Sequence, residues 1–343
     1  MPINMAVFDG NAFDEAAMIR AIDQRPYKPN MLDQIIQFEP VPVTTDVVGI
    51  KGSAGKISLI QTTERGAPIE IAEPDTKNVR HLKIPRVAKG DKLYAHELAN
   101  LSPGMNETEE MAVARVIDRK QGKLIDDVEM TEEHMRLGAL SGIVLDADGS
   151  EIINYYSEFG VTPPSAIDLQ LDDATQTIGQ IRQDVGSLLV QPIARASGAG
   201  NNPRFGIHAV CGDGFWYALT GHPAIAKTYE GYAAAAALRD EQLWTSFFFA
   251  GVTWWHYRGS DDGSSIAITS DKAKVFPVGV PGMFQHVMGP ANEMLSLIGQ
   301  EGRRYYPFLE MDQSQKRQWA QPEIYAYPLF VNGRPDLVLE ATV

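Results

Sequence analysis

The stretch 107–141 constrains this chain more than any other. Ala114, Ile117, Gln121, Leu124, Val128, Thr131, Met135 and Gly138 recur there at alternating spacings of three and four, the mark of one helical face. Asn106, with Glu109 three residues on, supplies a capping-box start. Unbroken, the helix is about 50 Å long at roughly 1.5 Å per residue; Gly122 and Thr131 are the places where it can divide in two. Glu110, Asp118, Asp126, Asp127, Glu129, Glu132 and Glu133 fall mostly on the other faces, and residues 101–160 hold 13 acids against five bases, a local charge of −8. A rod with a single apolar stripe must lie across a broad surface, which the rest of the chain has to supply.

The segment before it cannot be that surface alone. Residues 46–100 break into short alternating pieces at 47–50, 56–60, 68–71 and 80–85, which read as strands of long hairpins. Their apolar content is too thin for a core, and a two-stranded ribbon is marginal in water unless it rests on something else. Residues 51–100 carry nine bases against six acids, a local charge of +3. Residues 1–45 read as an arm: Asn11 caps a short helix bearing Ala16, Ile19 and Ile22, Pro26 and Pro29 stop it, and Pro40 and Pro42 mark an edge strand or linker. Downstream, Asp146-Ala147-Asp148-Gly149-Ser150 joins the strands 143–145 and 152–153 in a hairpin. Helices are expected over 175–189 and 223–238 around a strand 205–211. A Phe- and Trp-rich strand follows over 247–255, then strands at 266–268 and 274–277. Closing strands at 324–330 and 336–339 return to an earlier domain.

The chain has 343 residues, 44% of them hydrophobic, enough for two or three folded units with real cores. Its 44 acids against 30 bases leave a net charge of −14, which gives no electrostatic footprint for a phosphate backbone. Cys211 is the only cysteine, so an intramolecular disulfide, a CxxC redox pair and a Cys-rich zinc site are excluded. The N-terminal residues carry no positive n-region, so export is not expected. The most apolar run, 247–255, falls well short of the roughly 18–20 residues that span a bilayer. His208, Cys211 and Asp213 suggest a Cys-dependent hydrolase, but side chains three apart on a strand face opposite ways, and Cys211 reads better as a small buried residue. The acidic turns at Asp146/Asp148 and Asp261/Asp262 lack the remaining ligands of a calcium loop. Gly198 and Gly200 lack the rest of a phosphate-binding fingerprint. No catalytic, cofactor or metal residue is assigned.

The pattern leaves an arm, a basic ribbon without a core, a long acidic helix and a separate α/β unit, and along them run Arg65-Gly66-Ala67-Pro68, Arg80-His81-Leu82-Lys83-Ile84-Pro85, Met135-Arg136-Leu137-Gly138-Ala139-Leu140-Ser141-Gly142, Leu145-Asp146-Ala147-Asp148-Gly149 followed by Phe159-Gly160-Val161, Phe276-Pro277-Val278-Gly279-Val280-Pro281-Gly282 and Pro328-Leu329-Phe330 with Arg334-Pro335. By the order and spacing of these stretches the sequence resembles the phage lambda major capsid protein family, the E family. The resemblance implies an α+β chain of the Hong Kong 97 capsid fold. Its parts would be an N-terminal arm (1–45), an extended loop (46–100), a peripheral domain with a long spine helix (101–165), an axial domain (166–290) and a C-terminal return into the peripheral domain (291–343). It further implies a structural protein of the virion, assembled in the host cytoplasm as pentamers and hexamers around double-stranded DNA that it does not read. Portal and scaffolding proteins would be its partners, a decoration protein stays open, and no cofactor or membrane is involved. The alternative within the same fold is an encapsulin-like nanocompartment. At the subunit interface, the ribbon carrying Arg65, Arg80, Lys83 and Arg86 is expected to lie over a neighbour's Glu129, Glu132 and Glu133. The loop 195–204 is expected near the symmetry axis.

Overall fold

The computed structural model describes residues 31–52, 78–99, 109–198, 204–226, 246–257, 259, 267–314 and 318–343. The expected arm helix around Asn11, the ribbon tip with Arg65, the Asn106 cap, the centre of the loop 195–204 and most of the helix 223–238 lie outside these residues. The described elements run α1 (Met31–Ile35), β1 (Glu39–Pro42), β2 (Val47–Gly52), β3 (Asn78–Lys83), β4 (Val87–Gly90), β5 (Leu93–Tyr94), α2 (Ala95–Ala99) and α3 (Glu109–Ser141). Next come β6 (Ile143–Leu145), β7 (Glu151–Asn154), α4 (Tyr155–Phe159), β8 (Ile167–Asp168), α5 (Ile178–Asp184), a π segment (Val185–Val190) and α6 (Gln191–Ser197). The remainder is β9 (Gly206–Cys211), α7 (Asp213–Gly221), β10 (Ser246–Phe249), β11 (Val252–His256), β12 (Lys272–Val278), β13 (Phe284–Met288), β14 (Tyr306–Met311), β15 (Trp319–Ala326), β16 (Pro328–Asn332) and β17 (Leu339–Thr342).

The long helix α3 is continuous for 33 residues, with no break at Gly122 or Thr131. Its stripe meets the sheet β14-β15-β4: Leu124, Ile125 and Val128 pack on Ile324 and Ala326, and Val113 and Ile117 pack on Leu93 and Ala320. The broad surface that the rod required is therefore built largely from the C-terminal strands. A second core, with Met135, Ala139, Tyr155, Phe330 and Tyr327, fixes the sheet β1-β13-β16 and the base of the ribbon through Leu82 and Ile84. The ribbon itself is an antiparallel pair in which Val47 faces Lys83 and Gly52 faces Asn78.

The other body is a six-stranded sheet of order β10-β11-β9-β12-β17-β8. Trp254, Val252 and Ala209 fill one face against α5, the π segment, α6 and α7, the last through Phe215. The other face meets α3 through Val210 and Phe276, packed with Leu137, Leu140, Leu32 and Ile36. The segment 291–343 does not return as a unit: β14, β15 and β16 join the strands around α3, whereas β17 pairs with β12 in the six-stranded sheet. The expected single strand over 247–255 is a tight hairpin, β10-β11. Its turn has both Ala250 (φ 54°) and Gly251 (φ 86°) left-handed, the backbone of a two-residue hairpin loop. The apolar run conceals this turn because Phe248, which faces solvent on the edge strand, is as apolar as its buried neighbours Phe247 and Phe249.

Gly138 explains how the β6-β7 hairpin sits against α3. A Cβ there would lie 2.9 Å from both the Ile143 carbonyl oxygen and the Val144 Cα, so only glycine permits the approach. Gly138→Ala is expected to lower stability by about 1–3 kcal/mol through overpacking, despite alanine's better helix propensity. Urea unfolding followed by circular dichroism checks this; an unchanged or raised midpoint contradicts it.

Candidate subunit interface and the buried charge network

Of the expected interface residues, Arg80, Lys83 and Arg86 stand at the ribbon's base. Lys83 is exposed. Arg80 reaches Glu158 of its own chain at 3.7 Å. Arg86 pairs with Glu293 at 3.0 Å and lies over the Tyr325 ring at 5.0 Å. Further along, Lys89 meets Asp127 at 2.6 Å, so part of the basic charge is already matched to α3 within one chain. Such exposed pairs contribute little stability, which leaves these groups available for exchange between partners.

Glu132 and Glu133 correct the sequence reading. Both are buried within their own subunit and offer no surface to a neighbour. The reason is α1, a five-residue helix within the stretch read as the arm, which with residues 304–305 covers the reverse face of the last turns of α3. Arg136, fully buried, reaches Glu132 at 3.1 Å, Glu133 at 3.6 Å and Asp33 of α1 at 3.4 Å. Arg304 reaches Glu132 at 2.9 Å. Glu133 accepts hydrogen bonds from the Leu32 amide (3.0 Å) and the Tyr257 hydroxyl (3.3 Å). Three carboxylates thus face two guanidiniums, and burial pushes the carboxyls of Glu132 and Glu133 above the usual range. Glu129 is only partly buried and receives the Tyr305 hydroxyl at 3.5 Å. The signal that sequence reading passed over was Arg136 itself, placed three and four residues after two acids on one helix.

The described residues assemble no nucleophilic site around Cys211. The thiol is fully buried in the core of the six-stranded sheet, and burial pushes its pKa well up, the reverse of what a reactive cysteine needs. His208 accepts the Trp255 indole N–H at 3.0 Å. The histidine beside Cys211 in register is His256, held by Asp213 at 2.7 Å and stacked on Trp216 at 5.2 Å. Cys211→Ala is therefore expected to leave the circular dichroism of the chain unchanged, and a thiol reagent should label the wild-type chain only in denaturant; rapid labelling of the folded chain contradicts this. Asp146 and Asp148 receive the amides of Ala147 and Ser150 in an ordinary hairpin turn. Among the described residues there is no group of three or more His, Cys, Asp or Glu placed to hold a metal, and no helix is long and apolar enough to cross a membrane.

A thin ribbon, a long helix backed by C-terminal strands and a separate α/β sheet make an α+β chain of the Hong Kong 97 type. The chain belongs to the phage major capsid protein E family, whose model matches residues 14–343. Among solved structures it is similar to a prophage capsid protein from Escherichia coli CFT073, with TM-score 0.57 and 12% identity over 96% of this chain and 98% of that one. The capsid of cyanophage Pam1 gives TM-score 0.49 and 11% identity over 93% and 96% of the two chains. That of cyanophage P-SCSP1u gives TM-score 0.48 and 10% identity over 94% of each. Comparison with curated protein sequences gives no match.

Proposed function

We propose that this chain builds the icosahedral shell of a tailed phage, associating as pentamers and hexamers that close around double-stranded DNA. The observation that carries the reading is the family match over residues 14–343. The β2-β3 ribbon supports it, because a two-stranded element of this kind gains stability by lying on a further surface. The residues act through packing and charge rather than bond-making chemistry. A net charge of −14 suits a container that holds a polyanion without gripping it. Assembly takes place in the host cytoplasm with portal and scaffolding proteins.

At the contact between subunits, Arg65, Arg80, Lys83 and Arg86 of one ribbon face acids on the outward side of a neighbour's α3. Glu129 remains a candidate there with the exposed Asp118 and Asp126; Glu132 and Glu133 do not. The double reversal Arg80→Glu with Lys83→Glu is expected to abolish or sharply reduce particles in sedimentation velocity while leaving the circular dichroism of the chain unchanged, and the defect should deepen at low salt, where like charges repel further. Wild-type particle yield from the reversed chain contradicts the proposed contact.

A further inference from the structure

We infer that the turn carrying Leu295 and Ile298 is a hydrophobic knuckle that seats in the groove between β4, α3 and the β6-β7 hairpin of a second copy of this chain. The inference rests on the shell-forming reading and names a contact within it.

The knuckle is built to present apolar surface. Leu295–Leu297 forms a 3-10 turn, in which side chains three apart eclipse one another, so Leu295 and Ile298 share a side. Leu295 is 92% exposed and Ile298 59% exposed, while Leu297 between them is 3% exposed and anchors the turn in the core beneath. Isolated exposed aliphatics are common, but two aligned on a rigid turn form a patch that favours burial.

The groove lies elsewhere on the same molecule. It encloses about 520 Å³ and is lined by Val87, Val128, Met130, Met135 and Leu145 among others. Met130 is 45% exposed and Leu145 37% exposed, so its walls too lack cover in one chain. Charges at the two features are complementary. Lys89, Asp127 and Asp146 line the groove; Lys89 is paired with Asp127 at 2.6 Å, which leaves Asp146 as the groove's excess acid, and the exposed Arg303 that follows the knuckle can approach it. The larger hollow at the ribbon base suits an apolar knuckle less well, since Asp46, Lys83, Arg86 and Glu293 line it and burying them is costly. Knuckle and groove are different surfaces of one chain, so their contact is heterologous, the kind that repeats into rings and shells.

Engineered cysteines test this cleanly, because the one native cysteine is fully buried. Particles assembled from chains carrying both Leu295→Cys and Met130→Cys, or Leu295→Cys and Leu145→Cys, should give a ladder of cross-linked multimers under mild oxidation, and each single variant should run as monomer. Co-assembled single variants should stop at dimers. Closed shells in which neither pair cross-links overturn the inference while leaving the shell reading intact, as do dimers from Leu295→Cys alone, which place the knuckle against itself. If the wild-type chain forms no shells, it is the shell reading that fails. Leu295→Asp with Ile298→Asp should also cut shell yield at least about tenfold; an undiminished yield counts against the contact.

Discussion

Arg136→Ala is expected to lower the unfolding free energy by about 3–5 kcal/mol, the range for breaking a buried ion pair by removing one partner. The size follows from what is left behind. Glu132 is 0% exposed and Glu133 7%, and without Arg136 the nearest remaining guanidinium is Arg304, bonded to Glu132 at 2.9 Å. Glu133 keeps only its hydrogen bonds from Leu32 and Tyr257. The Arg136 guanidinium also lies over the Phe330 ring at 4.6 Å, so its removal opens space in the core as well. Adding Glu133→Gln to Arg136→Ala should recover part of the loss, because a neutral amide needs no counter-charge. Urea denaturation of the unassembled chain measures both variants. A loss below about 1 kcal/mol, the size typical of an exposed pair, contradicts a buried and mutually dependent network.

His286→Phe is expected to remove a large part of the chain's sensitivity to acid. His286 is buried, stacked on Phe330 at 4.4 Å, and burial, followed by the charges of Arg136 and Arg304, holds its pKa down to about 3 from 6.5. The folded value lies below the unfolded one, so the stability that neutral His286 contributes is full above pH 6.5 and is lost as pH falls toward 3. Between the two values the slope approaches about 1.4 kcal/mol per pH unit, so the wild type should lose about 2 kcal/mol relative to the variant between pH 6.5 and 4.5. Glu132 and Glu133 act in the opposite direction. Their raised carboxyls favour the folded state most below the ordinary glutamate range, and that gain fades as pH rises through their folded values. Both remain in the variant, so the comparison isolates His286. Phenylalanine keeps the aromatic contact with Phe330. Parallel loss of stability in the two proteins over this pH range contradicts the assignment.

What the sequence reveals about this chain depends on how far each element is shaped by its own residues. The long helix was legible because one stripe, Ile117 to Met135, repeats for many turns, although Leu124 and Val128 meet the sheet β14-β15-β4 and Met135 meets the core around β1-β13-β16. The hairpin 143–154 was legible because Asp146-Ala147-Asp148-Gly149-Ser150 carries its turn chemistry locally, with Gly149 at φ 83°. The helix α1 was not, since five residues between proline-rich stretches show no periodicity; Leu32, Ile35 and Ile36 are fixed by Leu137 and Leu140 more than 100 residues away. The same distant packing hid the burial of Glu132 and Glu133, which read as solvated acids until α1 covers them. At the candidate interface, Lys83 and Arg86 were legible as exposed basic charge. Their partners were not, because an acid's place on a helix face says nothing of what lies over that face.

The central claim is that this chain forms a closed shell through repeated contacts between copies of itself. Electron cryomicroscopy of the full chain, assembled with and without its scaffolding protein, tests it most directly. The account predicts closed particles whose walls resolve into five- and six-membered rings of this fold, with each β2-β3 ribbon lying on a neighbouring subunit. A chain that stays a stable monomer under every assembly condition, with its ribbon in solvent, contradicts it.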